Sequence, residues 1–549
     1  MANITLIARK NNAWAGLLGA ALSKANPMGL CTLEEPSAFL APAESPAVSA
    51  SLVYVPSLTG RDGMRPDLAE AERVFDRSAA LRPANLILLS SALIYGTGTA
   101  RQGLVEESYA TPRHGADAIS GAWKSLETMA SRRLEGAAPL VILRPVTVLP
   151  SPALLARRLG RRVTVTLAGH DPTLQLLSLQ DLAAAVLCAV RANRSGVFNV
   201  APDGVIPMRA ALRLAGGHRL ALPRTSQRLV WRRAALDYLR YPWTVSTQKI
   251  KRELGFSPRH SSLDALRQVR QETPDAASEP RFDDFGMDPD YIDRFAKTVF
   301  KFMSDRYWRI EVEGLDHVPR QGPGILAGTH RGFIPWDAVM ALHLVRREAG
   351  RVPRFLTHPG LLKFPFISSF ITKMGGVVAC QENAERVLAA GELLGVFPEG
   401  VQGAFTPCRQ GYQLLDFGRD AFVKIALRRR TPIVPYVTVG NVEALPIFKL
   451  FTWRWWRRYS DWPGLPLSTF PFLPLPLPSK WHIRFLPAID AAAQYGPEAA
   501  GDVTQVKKIS AEIRCQMQQA IDDILRRRPS IFWGSVFARE EGRGAAKTT

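Results

Sequence analysis

His330 closes an apolar stretch, Gly324-Ile-Leu-Ala-Gly-Thr-His330, and Asp337 follows seven residues on. A neutral histidine, with an ordinary pKa near about 6.5, can take a proton at neutral pH. A carboxylate behind the ring fixes its tautomer and stabilises the imidazolium that forms. Such a pair suits attack of a hydroxyl on a carbonyl, with the hydroxyl itself as nucleophile. A second apolar stretch, Leu394-Gly-Val-Phe397-Pro398-Glu399-Gly400, ends in a carboxylate and a glycine. Backbone N–H groups at such a strand end can hold a tetrahedral oxyanion, with Glu399 and the Gly400 backbone positioning the attacking molecule. A third stretch, Thr431-Pro432-Ile433-Val434-Pro435-Tyr436, reads as a strand bracketed by prolines. Each feature also has a plainer interpretation: His330 as a loop histidine, Asp337 as a helix cap, Glu399 as a turn carboxylate. The nine histidines show no H-x-x-x-H pair and the five cysteines no C-x-x-C, so no metal site is expected.

The elements that must carry these residues fall into two halves. In residues 1–270, the apolar runs Ile4–Ala8, Leu52–Val55, Leu86–Leu89 and Leu140–Leu143 alternate with helical patterns, which predicts a parallel sheet with βαβ crossovers. Residues 271–281, polar and proline-containing, read as a linker. Residues 282–535 form the second α/β half, and 536–549 a disordered tail. Ile292, Phe295, Val299 and Phe302 recur at steps of three and four, which predicts a helix with one apolar stripe and Lys297 and Lys301 off it. A strand is expected where Trp308, Ile310 and Val312 alternate with Arg309, Glu311 and Glu313.

In the first half, Leu88-Leu-Ser-Ser91-Ala-Leu-Ile-Tyr-Gly96, Val141-Ile-Leu-Arg-Pro145, Leu177-Ser-Leu-Gln-Asp-Leu182, Gly196-Val-Phe-Asn-Val200 and Glu253-Leu-Gly-Phe-Ser-Pro258 stand in one order. Together they resemble the extended short-chain dehydrogenase (NAD-dependent epimerase/dehydratase) family. The resemblance implies a Rossmann-like, doubly wound parallel sheet and an NAD(P) site, with Gly16, Gly19 and Ser91 as cofactor-binding residues and Glu34 or Glu35 on a ribose hydroxyl. The family's Tyr-x-x-x-Lys pair is not matched, because counting back from Lys124 gives Ser120. A working oxidoreductase is therefore not expected.

In the second half, the three strand-end stretches in this order resemble the glycerolipid (lysophosphatidic-acid type) acyltransferase family, as do Met374-Gly-Gly-Val-Val378 and Glu382-Asn-Ala-Glu385 between them. The resemblance implies an O-acyltransferase domain. Its donor would be acyl-CoA or acyl-carrier protein and its acceptor a glycerolipid-like hydroxyl, with no cofactor required. His330 and Asp337 take the catalytic roles; Phe397, Pro398, Glu399, Gly400 and Arg409 contact substrate. Six residues separate His330 from Asp337 where the family most often has four, and Gln402 stands where an arginine often grips the acceptor phosphate. Arg409 is the candidate to replace it.

The net charge of +21 favours anionic partners. The stretch from Leu445 to Tyr459 interleaves aromatics with arginines, which suits a headgroup interface. Six prolines between Trp462 and Ser479 exclude a spanning helix there. Expected partners are therefore an anionic membrane surface and a lipid acceptor, not nucleic acid, and the expected location is the cytoplasmic face of a membrane, peripherally bound. The alternative is an NAD(P)-dependent epimerase, dehydratase or reductase with a membrane-docking second half. A non-catalytic scaffold is a third possibility.

Overall fold

The structure, a computed structural model, describes residues 3–537 except 10–12, 28, 42–50, 61–62, 97–103, 110–117, 151–158, 160, 193, 223–243, 271–281, 333–334, 364–365, 419, 448–449, 452–466 and 469–475. The expected linker, most of the arginine–tryptophan stretch, most of the proline run and residues 538–549 lie outside the described residues. The chain forms two compact units. One comprises 1–287 with Pro359–Thr372; the other comprises Asp288–His358 with 373–549.

In the first unit, short strands form one parallel sheet, the inner ones apolar and largely buried on both faces, as parallel strands between helical layers must be, and the edge strand half-buried. They are β1 (Ile4–Ile7), β2 (Cys31–Glu34), β3 (Ser51–Tyr54), β4 (Asn85–Leu89), β5 (Leu140–Pro145) and β6 (Gly196–Val200). Every pairing is parallel and the order is β2-β1-β3-β4-β5-β6. Helices α1 (Ala13–Ala25) and α4 (Leu179–Ala192) pack together, as do α2 (Leu68–Leu81) and α3 (Ala118–Arg133). This is the expected doubly wound sheet. Its chain reversal falls between β1 and β3, with one strand beyond β1 where the 3-2-1-4-5-6 order has two.

The second unit holds a seven-stranded sheet: β7 (Glu311–Glu313), β8 (Gly324–Gly328), β9 (Arg354–Thr357), β10 (Val377–Val378), β11 (Leu393–Val396), β12 (Ile433–Val439) and β13 (His482–Phe485). The order is β7-β13-β12-β8-β11-β9-β10, and only the β12–β13 pairing is antiparallel. The three sequence stretches singled out above are thus β8, β11 and β12, adjacent and parallel, so their carboxyl ends open on one edge. Two glycines permit this packing. A Cβ at Gly328 would fall 2.1 Å from the Tyr436 ring, and one at Gly395 would fall 2.3 Å from the Phe355 ring.

Helix α5 (Pro289–Phe295) is capped by Asp288, whose side chain accepts from the Tyr291 N–H at 3.0 Å. It runs on through π turns at Ala296–Phe300 and Met303–Tyr307. Here the expected inward stripe is overturned. Ile292, Phe300 and Met303 are buried, whereas Val299 and Phe302 are 42% and 55% exposed. Each π turn inserts an extra residue and rotates the following face by roughly 100°. The expected strand from Trp308 shortens to Glu311–Glu313, because Trp308 leaves the sheet to stack on Trp481 with ring centroids 4.2 Å apart. Helix α6 (Trp336–Ala349) follows β8. The last helix, α7 (Val503–Arg527), starts at the cap Asp502 and packs on β12. Its buried Val506, Ile509, Ile513, Met517, Ile521 and Ile524 recur at helical spacing, each burial contributing about 1.5–3 kcal/mol.

Candidate active site

β8 delivers Thr329 and His330 past its end, and α6 returns Asp337 to the same point. The His330 Nδ1 donates to Asp337 Oδ1 at 2.8 Å. The carboxylate has no solvent exposure, while the imidazole keeps 12%. Asp337 also accepts from the backbone N–H of Arg331 at 2.7 Å, from its own helix at Ala338 at 2.9 Å, and from the Asn441 amide at 3.3 Å. Asp337 is not the cap of α6, which is Pro335, but lies in its first turn, where one oxygen accepts from the Ala338 N–H and holds the ring. With Nδ1 engaged as a donor, Nε2 carries the lone pair. The Phe397 ring lies 4.8 Å from the imidazole and stacks at 5.4 Å on Phe355, which occupies the space Gly395 leaves.

Beneath His330 lies an ion pair that the sequence did not signal. The Arg331 guanidinium donates to both oxygens of Glu399, at 2.7 and 3.2 Å, with both side chains almost wholly buried. It also donates to the carbonyls of His330 at 2.8 Å and Gly411 at 2.6 Å. Glu399 accepts in addition from the Leu415 N–H at 2.9 Å. The turn that supplies these groups is pinned from outside: Gln518 of α7 accepts from the Leu414 N–H at 2.8 Å and donates to the Tyr412 carbonyl at 3.0 Å. Tyr412 donates to Glu443, which pairs with Arg528 at 2.7 Å, and the Gly440 N–H donates to the same phenol oxygen at 2.8 Å. The start of the Gly440–Ala444 turn, which bears Asn441, is thereby fixed. Burial and the Asp337 charge push the Tyr436 phenol well above its ordinary pKa, so it remains a neutral hydroxyl.

The acyltransferase family profile matches residues 309–439, the span containing His330, Asp337, Glu399 and β12. The chain carries an acyltransferase-family domain. It also belongs to one family with mycobacterial proteins. The "Uncharacterized protein Rv0502" of Mycobacterium tuberculosis (strain ATCC 25618 / H37Rv) is 34% identical over 261 residues, which is 46% of this chain and 72% of that protein. The "Uncharacterized protein ML2427" of Mycobacterium leprae (strain TN) is 33% identical over 46% of this chain and 70% of its own length. Among solved structures, "MoeE5 in complex with UDP-glucose and NAD" is similar at 12% identity and a TM-score of 0.38, covering 49% of this chain and 99% of that one. The UDP-N-acetylglucosamine 4-epimerase from Bacillus cereus is similar at 13% and 0.37, over 49% and 99%.

Within the acyltransferase domain, Pro398 is buried, Gly400 opens a short helix at φ +62°, and its N–H donates to the Phe397 carbonyl at 2.9 Å. Gln402 and Arg409 are exposed, Arg409 on the turn Cys408–Gln410.

In the first unit the expected cofactor residues sit differently. Gly16 and Gly19 lie inside α1; a Cβ at Gly16 would meet nothing within 4 Å, and one at Gly19 only Leu6 at 3.6 Å. Neither marks a place where backbone must approach a pyrophosphate. Ser91 caps the turn Ala92–Tyr95, accepting from the Leu93 N–H at 3.2 Å. Ser120 is buried and Lys124 exposed, so no phenol and ammonium face each other as the redox pair requires. The carboxyl ends of β4, β5 and β6 instead hold a closed network. Ser90 donates to Glu127 at 2.6 Å, Arg144 donates to Glu127 at 2.7 Å and to the Tyr95 hydroxyl at 2.8 Å, and Tyr95 donates to Asn199 at 2.7 Å. This network contains no tyrosine–lysine redox pair, and the β1–α1 turn, where a dinucleotide pyrophosphate would lie, falls partly outside the described residues.

Proposed function

We propose that the protein transfers a fatty acyl group from a thioester donor, acyl-CoA or acyl-carrier protein, to a hydroxyl of a glycerolipid-like acceptor. The observation that carries this reading is the His330–Asp337 bond with Asp337 buried and held by three further donors. His330 Nε2 takes the proton from the acceptor hydroxyl as its oxygen attacks the thioester carbonyl. Asp337 keeps Nδ1 protonated and stabilises the imidazolium. Collapse of the tetrahedral intermediate expels the thiolate, which takes the proton back from Nε2. Phe397 seats the imidazole. Arg331 and Glu399 act as positioning residues, tying the ends of β8 and β11 together. Arg409 is the exposed cation available to an acceptor phosphate, and the acceptor's lipid nature places the reaction at a membrane surface. The first unit serves in this reading as a support rather than as a redox enzyme.

The test is transfer of a radiolabelled acyl group into total lipid extract from either donor, wild type beside His330→Ala. Labelled lipid with wild type alone supports the reading, and the labelled species identifies the acceptor. Absence of transfer from both donors overturns it.

A further inference from the structure

The π turns after α5 leave an apolar face that no core covers. Val299 and Phe302 stand exposed beside Lys297 and Lys301, which make no ion pair among the described residues. Of the acids in the same segment, Asp288 caps α5, Asp293 pairs with Arg346 and Asp305 with Arg347. The face continues through contacts that can be followed residue by residue. The Phe302 ring lies 6.1 Å from Tyr307. Arg309 donates to the Tyr307 carbonyl at 2.8 Å and to the Phe532 carbonyl at 2.8 Å, and its guanidinium lies 4.9 Å over the Trp533 ring. Phe532 and Trp533 are 41% and 70% exposed. Two segments far apart in sequence, each bearing exposed aromatics, are thus joined through the Arg309 guanidinium.

We propose that this face, Val299, Phe302, Phe532 and Trp533 with Lys297 and Lys301 beside them and Arg309 tying the two segments together, docks the protein on an anionic lipid bilayer. Aromatic rings are at home at the level of the headgroups, and lysine and arginine reach the phosphates above them. A protein partner would reward the aromatics equally. Unpaired lysines spaced four apart, on a chain of net charge +21, fit a sheet of anionic headgroups better. The inference deepens the proposed function, since a lipid acceptor requires access to a membrane, but it is tested without catalysis.

The full chain is sedimented with vesicles of phosphatidylcholine alone or mixed with phosphatidylglycerol. Wild type is expected to pellet with the anionic vesicles and far less with the neutral ones. Phe302→Ser combined with Trp533→Ser, and separately Lys297→Gln combined with Lys301→Gln, are expected to weaken binding about tenfold or more. Their thermal unfolding should be unchanged, because all four side chains are exposed. His330→Ala is expected to bind as wild type does, so failure of acyl transfer leaves this test intact. Variants that bind like wild type, a wild type that binds neither vesicle, or a wild-type dimer that Phe302→Ser with Trp533→Ser makes monomeric without lipid would each overturn the proposal.

Discussion

In the proposed reaction His330 can act as a base only if its ring is held, and the group that holds it is a carboxylate with no access to water. Around it, the most consequential pair is Arg331 with Glu399. Removing one member of a buried ion pair leaves the other charge unpaired, at a cost of about 3–5 kcal/mol, whereas replacing both by apolar residues of similar volume is often close to neutral. Glu399→Leu alone should therefore lower the unfolding midpoint sharply and abolish transfer. Arg331→Met combined with Glu399→Leu should recover most of the stability but not the activity, because the bond from Arg331 to the His330 carbonyl is gone. Differential scanning calorimetry and an acyl-transfer assay on the three variants check this. A double variant no more stable than the single would place the pair's importance elsewhere.

At the scale of the elements, β8, β11 and β12 do the positioning, and Gly395 shows how closely. A methyl group there would collide with the Phe355 ring, which backs Phe397 and through it the imidazole. Gly395→Ala should cost about 1–3 kcal/mol of stability, by overpacking. It should also lower kcat more than it raises KM, as steady-state kinetics beside a thermal melt would show; a melt shift with unchanged kcat would separate the ring stack from catalysis. The ends of β8 and β11 were legible in the sequence because buried parallel strands are apolar runs that stop at residues of a different chemical kind; β12 was legible as a strand, but it runs through Pro435 and Tyr436 to Val439. Arg331 was not legible. It follows His330 like any loop arginine, and its burial is explained by distant partners, the Glu399 carboxylate and the Gly411 carbonyl, eighty residues on. Asn441 was hidden for the same reason. The stripe from Ile292 to Phe302 was misread because periodicity assumes an uninterrupted α-helix, and two π turns break it. The glycines Gly16 and Gly19 had the right residue type, but the structure places them in a helix rather than at a turn.

For the whole molecule, the two units are not consecutive stretches of chain: Pro359–Thr372 leaves the acyltransferase sheet after β9 and belongs to the first unit. Full-length protein is therefore the right object for every measurement. Its response to acid should be set in part by His482, buried in β13, where desolvation lowers the imidazole pKa to about 4 despite Glu311 nearby. Unfolded, that ring titrates near about 6.5. Above pH 6.5 it is neutral in both states; below, the unfolded chain takes up a proton that the folded one refuses. Stability should thus fall as pH drops from about 6.5 towards 4, and His482→Gln should flatten the melting temperature across that window; equal slopes would assign the acid sensitivity to other groups. Acceptor-dependent release of free thiol from acyl-CoA by the full chain tests most directly whether the His330–Asp337 pair drives acyl transfer. Thiol should appear with wild type only when a lysophospholipid or other glycerolipid hydroxyl is supplied. It should fall about a hundredfold or more in Asp337→Asn and vanish in His330→Ala, with both variants folded. Wild-type rates retained by folded His330→Ala would contradict this role for the pair.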